Sequence, residues 1–342
     1  MRFLLTSTGS HGDIHPFIAV GRALARRGHD VFVAVNPYYR TLVRAEGLRF
    51  VPFGEPFDLR ALKDYGDVMH HRRGPRVVIE SLMLPHLRAV AERLPRVVRR
   101  VRPDVVFHHH ICLGVAQVCR AEGVRHASAS LAPLMWLDPD DPFSVRPWWP
   151  LNPPPWLQRS GTKIARRAIR HIIDPLLRRE MRTLGLLGPG QFGPLEIFAG
   201  AARGGHAALG LWSRHFRGPL PGDPDHGVIT GFPWHDRDTS QEHDRAEVER
   251  FFEECERAGD APILFSLGTA AVHVPGAFYA NAAEVCRRLG RRGVLLVGRA
   301  ERAGVPASLP AGVRVFTYLP FSWAMPRCAA SVHHGGVGTT AQ

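Results

Sequence analysis

Lysine is almost missing from this chain of 342 residues: Lys63 and Lys163 are the only two, and arginine supplies nearly all of the positive charge. The formal net charge of +13 would by itself favour a nucleic acid or an anionic membrane as partner. The arginines are scattered along the chain, however, and form no single basic cluster. We therefore predict that no nucleic acid is bound.

Long apolar runs are also missing. No stretch of about 18 apolar residues is available for a membrane span, and the apolar start of the chain turns polar too early for a signal peptide. The five cysteines are odd in number and lack CxxC spacing, which predicts buried free thiols in a reducing compartment. These absences predict a cytoplasmic protein.

The pattern that is present is an alternation of strands and helices. The length exceeds that of one domain of about 100–200 residues, so two domains are expected. Short apolar segments such as FLLTST, VFVAV, ILFS and VLLVG alternate with amphipathic helical segments, which predicts α/β domains on doubly wound parallel sheets. A stretch rich in Pro, Gly and Asp near residues 233–245 predicts a linker. We place one domain at residues 1–235 and a shorter one at residues 236–342.

The segment GSHGDIHP follows the first predicted strand. We predict a loop here, then a helix with Pro16 in its first turn and Gly28 at its C-terminal cap. The loop offers His11, Asp13 and His15 at a carboxyl edge, where ligands of doubly wound sheets collect. A purely structural alternative is that Asp13 caps the helix beginning at Pro16.

The segment SVHHGGVGTTAQ, residues 331–342, has the pattern of a strand that turns into the N-terminus of a helix. Such a terminus binds phosphate, because its N–H groups are unpaired and glycines allow close approach. SLGT, residues 266–269, repeats the pattern at an earlier strand end. The alternative is a turn that needs glycines for its backbone alone.

Taken in order, GSHGDIHP, SLGT and HHGGVGTT resemble the inverting, metal-independent glycosyltransferases of the GT-B fold. The resemblance is strongest to the bacterial and sterol branch, which glycosylates small lipophilic acceptors. It implies two Rossmann-like domains facing a cleft, a UDP- or dTDP-sugar donor, a natural product, sterol or lipid acceptor, and no metal or other cofactor. Asp13 is the implied base; a plant branch uses a His in this loop, so His11 remains open as base or partner.

The resemblance also implies the residues that hold the two substrates. FTYLPFSW would frame the nucleotide base, although edge-of-sheet packing explains this segment equally well. The acceptor would contact His15, His109, Trp136 and Trp148, with core packing as the alternative for each tryptophan. The implied donor-binding residues are Ser266, Gly268, Thr269, Tyr318, Leu319, Phe321, His334, Gly335, Gly336, Gly338, Thr339 and Gln342.

Two patterns in the sequence could indicate a metal site. Residues 108–110 are three adjacent histidines, but neighbours on a strand point to alternating faces and cannot all reach one ion. Asp-x-Asp occurs at residues 138–140, 223–225 and 236–238, each time in Pro-rich or linker sequence without a preceding strand. We interpret all three as turns and expect no metal site.

The Arg-rich segment after residue 160 carries an apolar stripe at helical spacing, made of Ile164, Ala168, Ile172 and Leu176. The stripe could lie on an anionic membrane or be the buried face of a helix. Peripheral membrane contact and the oligomeric state therefore stay open at this stage.

The family pattern continues beyond the last turn with more helix, a strand and a sugar-binding pair of residues. We therefore expect a chain truncated at its C-terminus, with an incomplete second domain and poor or no sugar transfer in isolation. The alternative is a non-catalytic pseudo-enzyme or auxiliary subunit. A nicotinamide oxidoreductase is disfavoured because GxGxxG is missing from the first strand-turn-helix unit.

Overall fold

The computed structural model describes residues 1–56, 73–136, 138, 141, 154–168, 171, 174–187, 205–236, 245–269, 271–298 and 304–342. The chain divides into two compact units. Of the described residues, the second unit contains His235–Gln342 together with Ser10–Gly12 and residues 73–74, and the first contains the rest up to Trp234. Each unit is built on its own parallel sheet. The assignment of the two domains to acceptor and donor stays a prediction.

The first unit contains seven described strands in the order β3-β2-β1-β4-β5-β6-β7, with every neighbouring pair parallel. The chain runs outward from β1 in one direction and from β4 in the other, so their junction is a switch point of the topology. The strands are β1 Arg2–Thr6, β2 Asp30–Val35, β3 Arg49–Pro52, β4 Val105–His109, β5 Arg125–Ser130, β6 Ala207–Gly210 and β7 Gly227–Ile229.

Helices lie between successive strands up to β6, as is usual for parallel pairs, whereas residues 211–226 between β6 and β7 contain no helix. One-turn elements at Pro37–Tyr39 and Pro133–Trp136 and a π-helical turn at Ile79–Met83 supplement them. The described helices of this unit are α1 His11–Arg26, α2 Arg40–Ala45, α3 Gly74–Val78, α4 Leu84–Val101, α5 Val115–Ala121, α6 Pro155–Ala168 and α7 Asp174–Thr183.

Helix α1 begins earlier than the sequence predicted. It starts at His11, and Pro16 lies inside it. The predicted loop is therefore shorter, and Asp13 is in the first turn instead of capping a helix that begins at Pro16. The apolar residues at positions 14, 17, 18 and 21 are buried, and this i, i+3, i+4, i+7 spacing fixes the face that packs on the sheet. Gly28 follows the helix with φ +79°, as its predicted capping role requires.

The second unit contains four described strands in the order β10-β9-β8-β11, again all parallel. The predicted pair of parallel α/β sheets is confirmed, and the second is the smaller. Its elements are α8 Arg245–Arg257, β8 Ile263–Ser266, one-turn elements Ala271–His273 and Met325–Arg327, α9 Phe278–Leu289, β9 Gly293–Leu296, β10 Val313–Phe316, α10 Phe321–Ala324, β11 Ala330–His333 and α11 Val337–Ala341.

Burial differs sharply between the strands of the second sheet. All four residues of β9, GVLL, are buried, as expected for a strand covered on both faces. Phe251 and Phe252 of α8 pack into the same core. In contrast, three of the four residues of the edge strand β11 are exposed, including Val332 at 41 %.

The cysteines are free, as predicted: four are buried and Cys328 is half-buried. Burial raises the pKa of Cys119 to about 12, so its thiol stays protonated and unreactive. None of the helices in the described part of the chain is long and apolar enough to cross a membrane.

The apolar stripe of the Arg-rich segment is not a buried face at its two described ends. Ile164 on α6 is 69 % exposed and Leu176 on α7 is 39 % exposed, whereas the neighbouring Leu177 is fully buried. The buried-face interpretation is therefore wrong for Ile164 and Leu176. Ile172 lies outside the described residues.

Candidate functional sites at the strand ends

The first candidate site lies where β1 and β4 end side by side, at the switch point of the larger sheet. Thr6 pairs with His108 across these strands, so Ser7 and His109 emerge at the same edge. Gly9 follows with φ +121°, a conformation that an L-residue rarely adopts. The chain then enters α1 directly, which brings Asp13 back over the strand ends.

Asp13 lies against the main chain of Gly9: a side chain on Gly9 would overlap the Asp13 carboxylate. Glycine is thus required here for its backbone angle and for its lack of a Cβ. The carbonyl of Gly9 accepts a 2.8 Å hydrogen bond from the Tyr39 hydroxyl. Asp13 also raises the pKa of the buried Cys112 thiol, an effect second to burial.

His11 and His15 lie on the same helix and are half-buried. Residues two apart on a helix are separated by about 200° around its axis, so His11 and Asp13 do not share a face. Residues four apart do share one, which groups His11 with His15. The catalytic and acceptor roles of these three residues stay predictions.

The three adjacent histidines at the end of β4 are all buried, and each makes a different contact. His108 Nε2 lies 3.3 Å from His126 Nδ1, His109 Nδ1 lies 3.3 Å from Ser7 Oγ, and His110 Nδ1 lies 3.3 Å from the Ala129 carbonyl. No cluster of three metal-ligating side chains occurs in the part of the chain that the structure describes. Metal independence itself stays a prediction.

Burial also sets the charge of these rings. It lowers the pKa of His108 to about 3 and that of His110 to about 4. It lowers the pKa of His109 well below its ordinary value, and His110 and His108 lower it further. The rings are thus neutral near pH 7. His109 is 2 % exposed, so its predicted contact with an acceptor stays untested.

Two tryptophans were predicted to contact an acceptor, and a third, Trp156, follows them in the sequence. Trp136 is 1 % exposed and packs edge-on against Trp212, with ring centroids 4.6 Å apart. Trp136 is therefore packed in the core, which is the alternative that the sequence left open. Trp148 lies outside the described residues. Trp156 on α6 is 67 % exposed.

The second candidate site lies at the equivalent switch point of the smaller sheet, where β8 and β11 are adjacent. Ser266 pairs with His333 at the end of these strands, so SLGT and HHGG emerge side by side. The Gly268 N–H donates to Ser266 Oγ at 3.2 Å, which closes the first turn. The two motifs predicted to bind phosphate therefore meet at one edge.

His334 joins the two turns. A Cβ on Gly268 would lie 2.5 Å from His334 Cε1, and one on Gly336 would overlap His334 Nε2. The imidazole thus occupies a slot between two glycines, and the rest of the ring is exposed. Partial burial and then the neighbouring His333 lower its pKa. A neutral, oriented ring with one N–H is available for a hydrogen bond to an anion.

The other predicted donor-binding residues surround this slot or form its base. Gly336 is the N-cap of α11, and its carbonyl accepts from the Thr340 N–H at 2.9 Å. Gly335 has φ +76°. Thr269 and Gly338 are exposed, and Thr339 and Gln342 are half-buried. Their contacts with a donor stay predictions.

The segment predicted to frame the nucleotide base is partly core. Leu319 is 2 % exposed, and Phe321 packs against the same hydrophobic cluster. The Tyr318 hydroxyl donates to the Asp236 carbonyl. For these side chains the packing alternative describes what the structure shows, and main-chain contacts to a base stay a prediction.

Sequence reasoning missed Ser7 and Tyr39. Ser7 is separated from GSHGD by Thr8 alone, and its position after the last strand residue is the only signal that could have identified it. Tyr39 lies 30 residues away from Gly9, and no local pattern connects the two.

The known proteins that this chain resembles are glycosyltransferases. Residues 3–109 match the N-terminal domain of glycosyltransferase family 28. A sterol 3-beta-glucosyltransferase of Arabidopsis thaliana is 25 % identical over 360 residues, covering 100 % of this chain and 54 % of that protein. The chain therefore spans about half the length of this relative. An O-mycaminosyltylonolide 6-deoxyallosyltransferase of Streptomyces fradiae is 29 % identical over 370 residues, covering 100 % of this chain and 77 % of that protein.

Solved structures agree on the fold. The glycotransferase of kitacinnamycin superposes with a TM-score of 0.66 at 21 % identity, covering 99 % of this chain and 77 % of that one. The glycosyltransferase VinC in complex with dTDP gives a TM-score of 0.57 at 18 % identity, covering 100 % and 78 %. The chain has the GT-B fold. It is similar to the bacterial and sterol-type UDP-glycosyltransferases, which confirms the resemblance seen in its motifs.

Proposed function

We propose that the chain binds a nucleotide-diphosphate sugar carrying UDP or dTDP and transfers a hexose to a hydroxyl of a small lipophilic acceptor. Transfer inverts the anomeric carbon in a single displacement and requires no metal. The relatives named for sterol and O-mycaminosyltylonolide transfer support this acceptor class, and the dTDP complex of VinC supports the donor class.

The observation that carries the proposal is the position of His334 between Gly268 and Gly336. Two turns that the sequence independently marks as phosphate-binding meet at this ring. Main-chain N–H groups at the two turns and the imidazole N–H would together bind the diphosphate. Ser266 and Thr269 lie on one turn and Thr339 on the other, within the same small region.

The chemical step would use Asp13. An acceptor hydroxyl is a weak nucleophile near neutral pH, so a base must take its proton as the anomeric carbon is attacked. The carboxylate of Asp13 is held at the carboxyl edge of the larger sheet, against Gly9, where ligands of such sheets bind. The proton would pass from the acceptor oxygen to Asp13, while the nucleotide diphosphate leaves with the bonding electrons.

Calorimetric titration with UDP and with dTDP tests the donor site first. We expect binding of at least one nucleotide and a loss of about tenfold or more in affinity in His334→Ala, because a charge-assisted hydrogen bond contributes about 1.5–3 kcal/mol. His215→Ala, which removes an exposed histidine of the first unit, is the matched control. A folded chain that binds neither nucleotide would overturn the donor site.

Product analysis with UDP- and dTDP-hexoses and a panel of sterol and polyketide acceptors tests transfer. We expect turnover by the natural chain to be slow, and we expect Asp13→Asn to abolish it without weakening nucleotide binding. If the natural chain binds a nucleotide tightly but transfers no sugar to any acceptor of the panel, the result would instead favour the alternative of a non-catalytic auxiliary subunit.

A further inference from the structure

Ser7 and His109 form a buried hydrogen-bonded link to the first turn of α1. Ser7 Oγ lies 2.9 Å from the Asp13 carbonyl oxygen and 3.3 Å from His109 Nδ1. Ser7 is 1 % exposed and His109 is 2 % exposed, so water does not compete for these bonds. The link connects the ends of β1 and β4 to the helix turn that carries Asp13.

The single hydroxyl proton of Ser7 limits the direction of its two hydrogen bonds. Ser7 has one hydroxyl proton and can also accept. With that proton on the bond to the Asp13 carbonyl, the proton of the second bond comes from His109 Nδ1. A neutral His109 that carries its proton on Nδ1 can donate to Ser7, and Ser7 donates to the Asp13 carbonyl oxygen. Such chained hydrogen bonds strengthen one another in a buried setting.

Packing holds His109 in this orientation. Its ring contacts Phe17, with centroids 5.7 Å apart, and lies edge-on to His110, with centroids 4.6 Å apart. Phe17 belongs to α1, so the same helix is held by its core face and by the Ser7 link. On the other side, Tyr39 fixes the Gly9 carbonyl. The backbone on both sides of the GSHG segment is thus held by buried side chains.

We propose that Ser7 and His109 are positioning residues, which hold the main chain of Asp13 so that its carboxylate reaches the acceptor hydroxyl. This assigns His109 a role other than the acceptor contact expected from the sequence, and it gives Ser7 a role that no motif indicated. The inference rests on the proposed function, since it treats Asp13 as the base.

The test uses variants that keep or move one hydrogen-bonding group. Asn at position 109 places an amide near the position of Nδ1, whereas Gln places it near that of Nε2. His109→Asn should therefore retain the link, and His109→Gln and Ser7→Ala should break it. Ser130→Ala is the matched control, because Ser130 is equally buried at 1 % exposure and ends β5 at the same edge.

Two readouts separate the outcomes. Hydrogen exchange of the amides in residues 11–17 requires no activity; we expect about tenfold faster exchange in Ser7→Ala and His109→Gln, with His109→Asn and Ser130→Ala near the natural chain. In turnover, kcat should fall about tenfold in the same two variants, with KM for the nucleotide sugar and the shape of the pH profile unchanged.

Equal effects of Asn and Gln at position 109, or identical exchange in Ser7→Ala and Ser130→Ala, would overturn the proposal. If the natural chain itself transfers no sugar, the proposed function fails, and the exchange measurement still decides whether the link holds the turn of Asp13.

Discussion

Arg217 binds Asp223 with two nitrogens: Nη1 lies 2.6 Å from Oδ2, and Nη2 lies 2.6 Å from Oδ1. Its Nε also reaches Asp141 Oδ2 at 3.1 Å, and Nη2 lies 4.0 Å from Asp138 Oδ2. Asp138 and Asp223 are the first residues of the two Asp-Pro-Asp motifs. Both motifs thus converge on one guanidinium that is 8 % exposed.

Replacing Arg217 by an uncharged residue should lower the stability of the protein strongly. We expect Arg217→Met to lower the free energy of unfolding by about 3–5 kcal/mol, because it leaves buried carboxylates without their cation. Urea denaturation at pH 7 measures the change. Arg88→Met, which removes a more exposed arginine paired with Glu180, should have a much smaller effect. Similar losses in the two variants would show that the buried cluster contributes nothing special.

A methyl group on Gly268 should disturb the His334 slot. Gly268→Ala strains a backbone with φ +67° and forces the ring away, whereas Gly290→Ala strains a similar φ of +62° with open space around it. We expect both variants to lose about 1–2 kcal/mol of stability. Only Gly268→Ala should also weaken nucleotide binding, by tenfold or more in calorimetry. Unchanged affinity would mean that the ring position does not matter for the ligand.

Neighbouring leucines on α7 should respond differently to truncation. Leu177 is fully buried and Leu176 is 39 % exposed. We expect Leu177→Ala to cost about 2–5 kcal/mol and Leu176→Ala about 0.5 kcal/mol or less, measured by thermal or urea unfolding. The reverse order would return α7 to the orientation that the sequence stripe suggested.

Acid should destabilise the first unit through its buried histidines. Burial lowers the pKa of His86 from 6.5 to about 4. Between pH 6.5 and about 4, His86 is therefore protonated in the unfolded chain and neutral in the folded chain. The contribution of neutral His86 to the free energy of unfolding is complete above pH 6.5 and is lost as the pH falls toward about 4. For this residue the loss is on the order of 3 kcal/mol. We expect His86→Leu to flatten the decline over that range. Identical pH profiles for both chains would contradict the burial of a neutral ring.

Much of the fold could be predicted because parallel strands buried on both faces have a plain signature. The VFVAV and VLLVG segments are strands where periodicity placed them, and the two glycine-rich motifs lie at the two switch points, since the carboxyl ends of adjacent strands share an edge. The start of α1 could not be predicted in the same way. Pro16 is typical of a first turn, and the sequence gives no sign that the helix tolerates it further inside.

Long-range contacts explain the remaining gaps. The hydrogen bond from Tyr39 to Gly9 and the convergence of Asp138 and Asp223 on Arg217 depend on how strands are ordered in the sheet, which local patterns do not encode. The exposure of Ile164 and Leu176 depends on which other elements pack against this segment. The spacing of apolar residues does not encode that packing.

The slot around His334 also constrains how this sequence can change over time. A larger residue at position 268 or 336 removes the space for an imidazole, so it is tolerated only together with a smaller residue at position 334. These three positions, separated by up to 68 places in the chain, should therefore be substituted together or not at all. In an alignment of related chains, we expect the residues at these positions to covary.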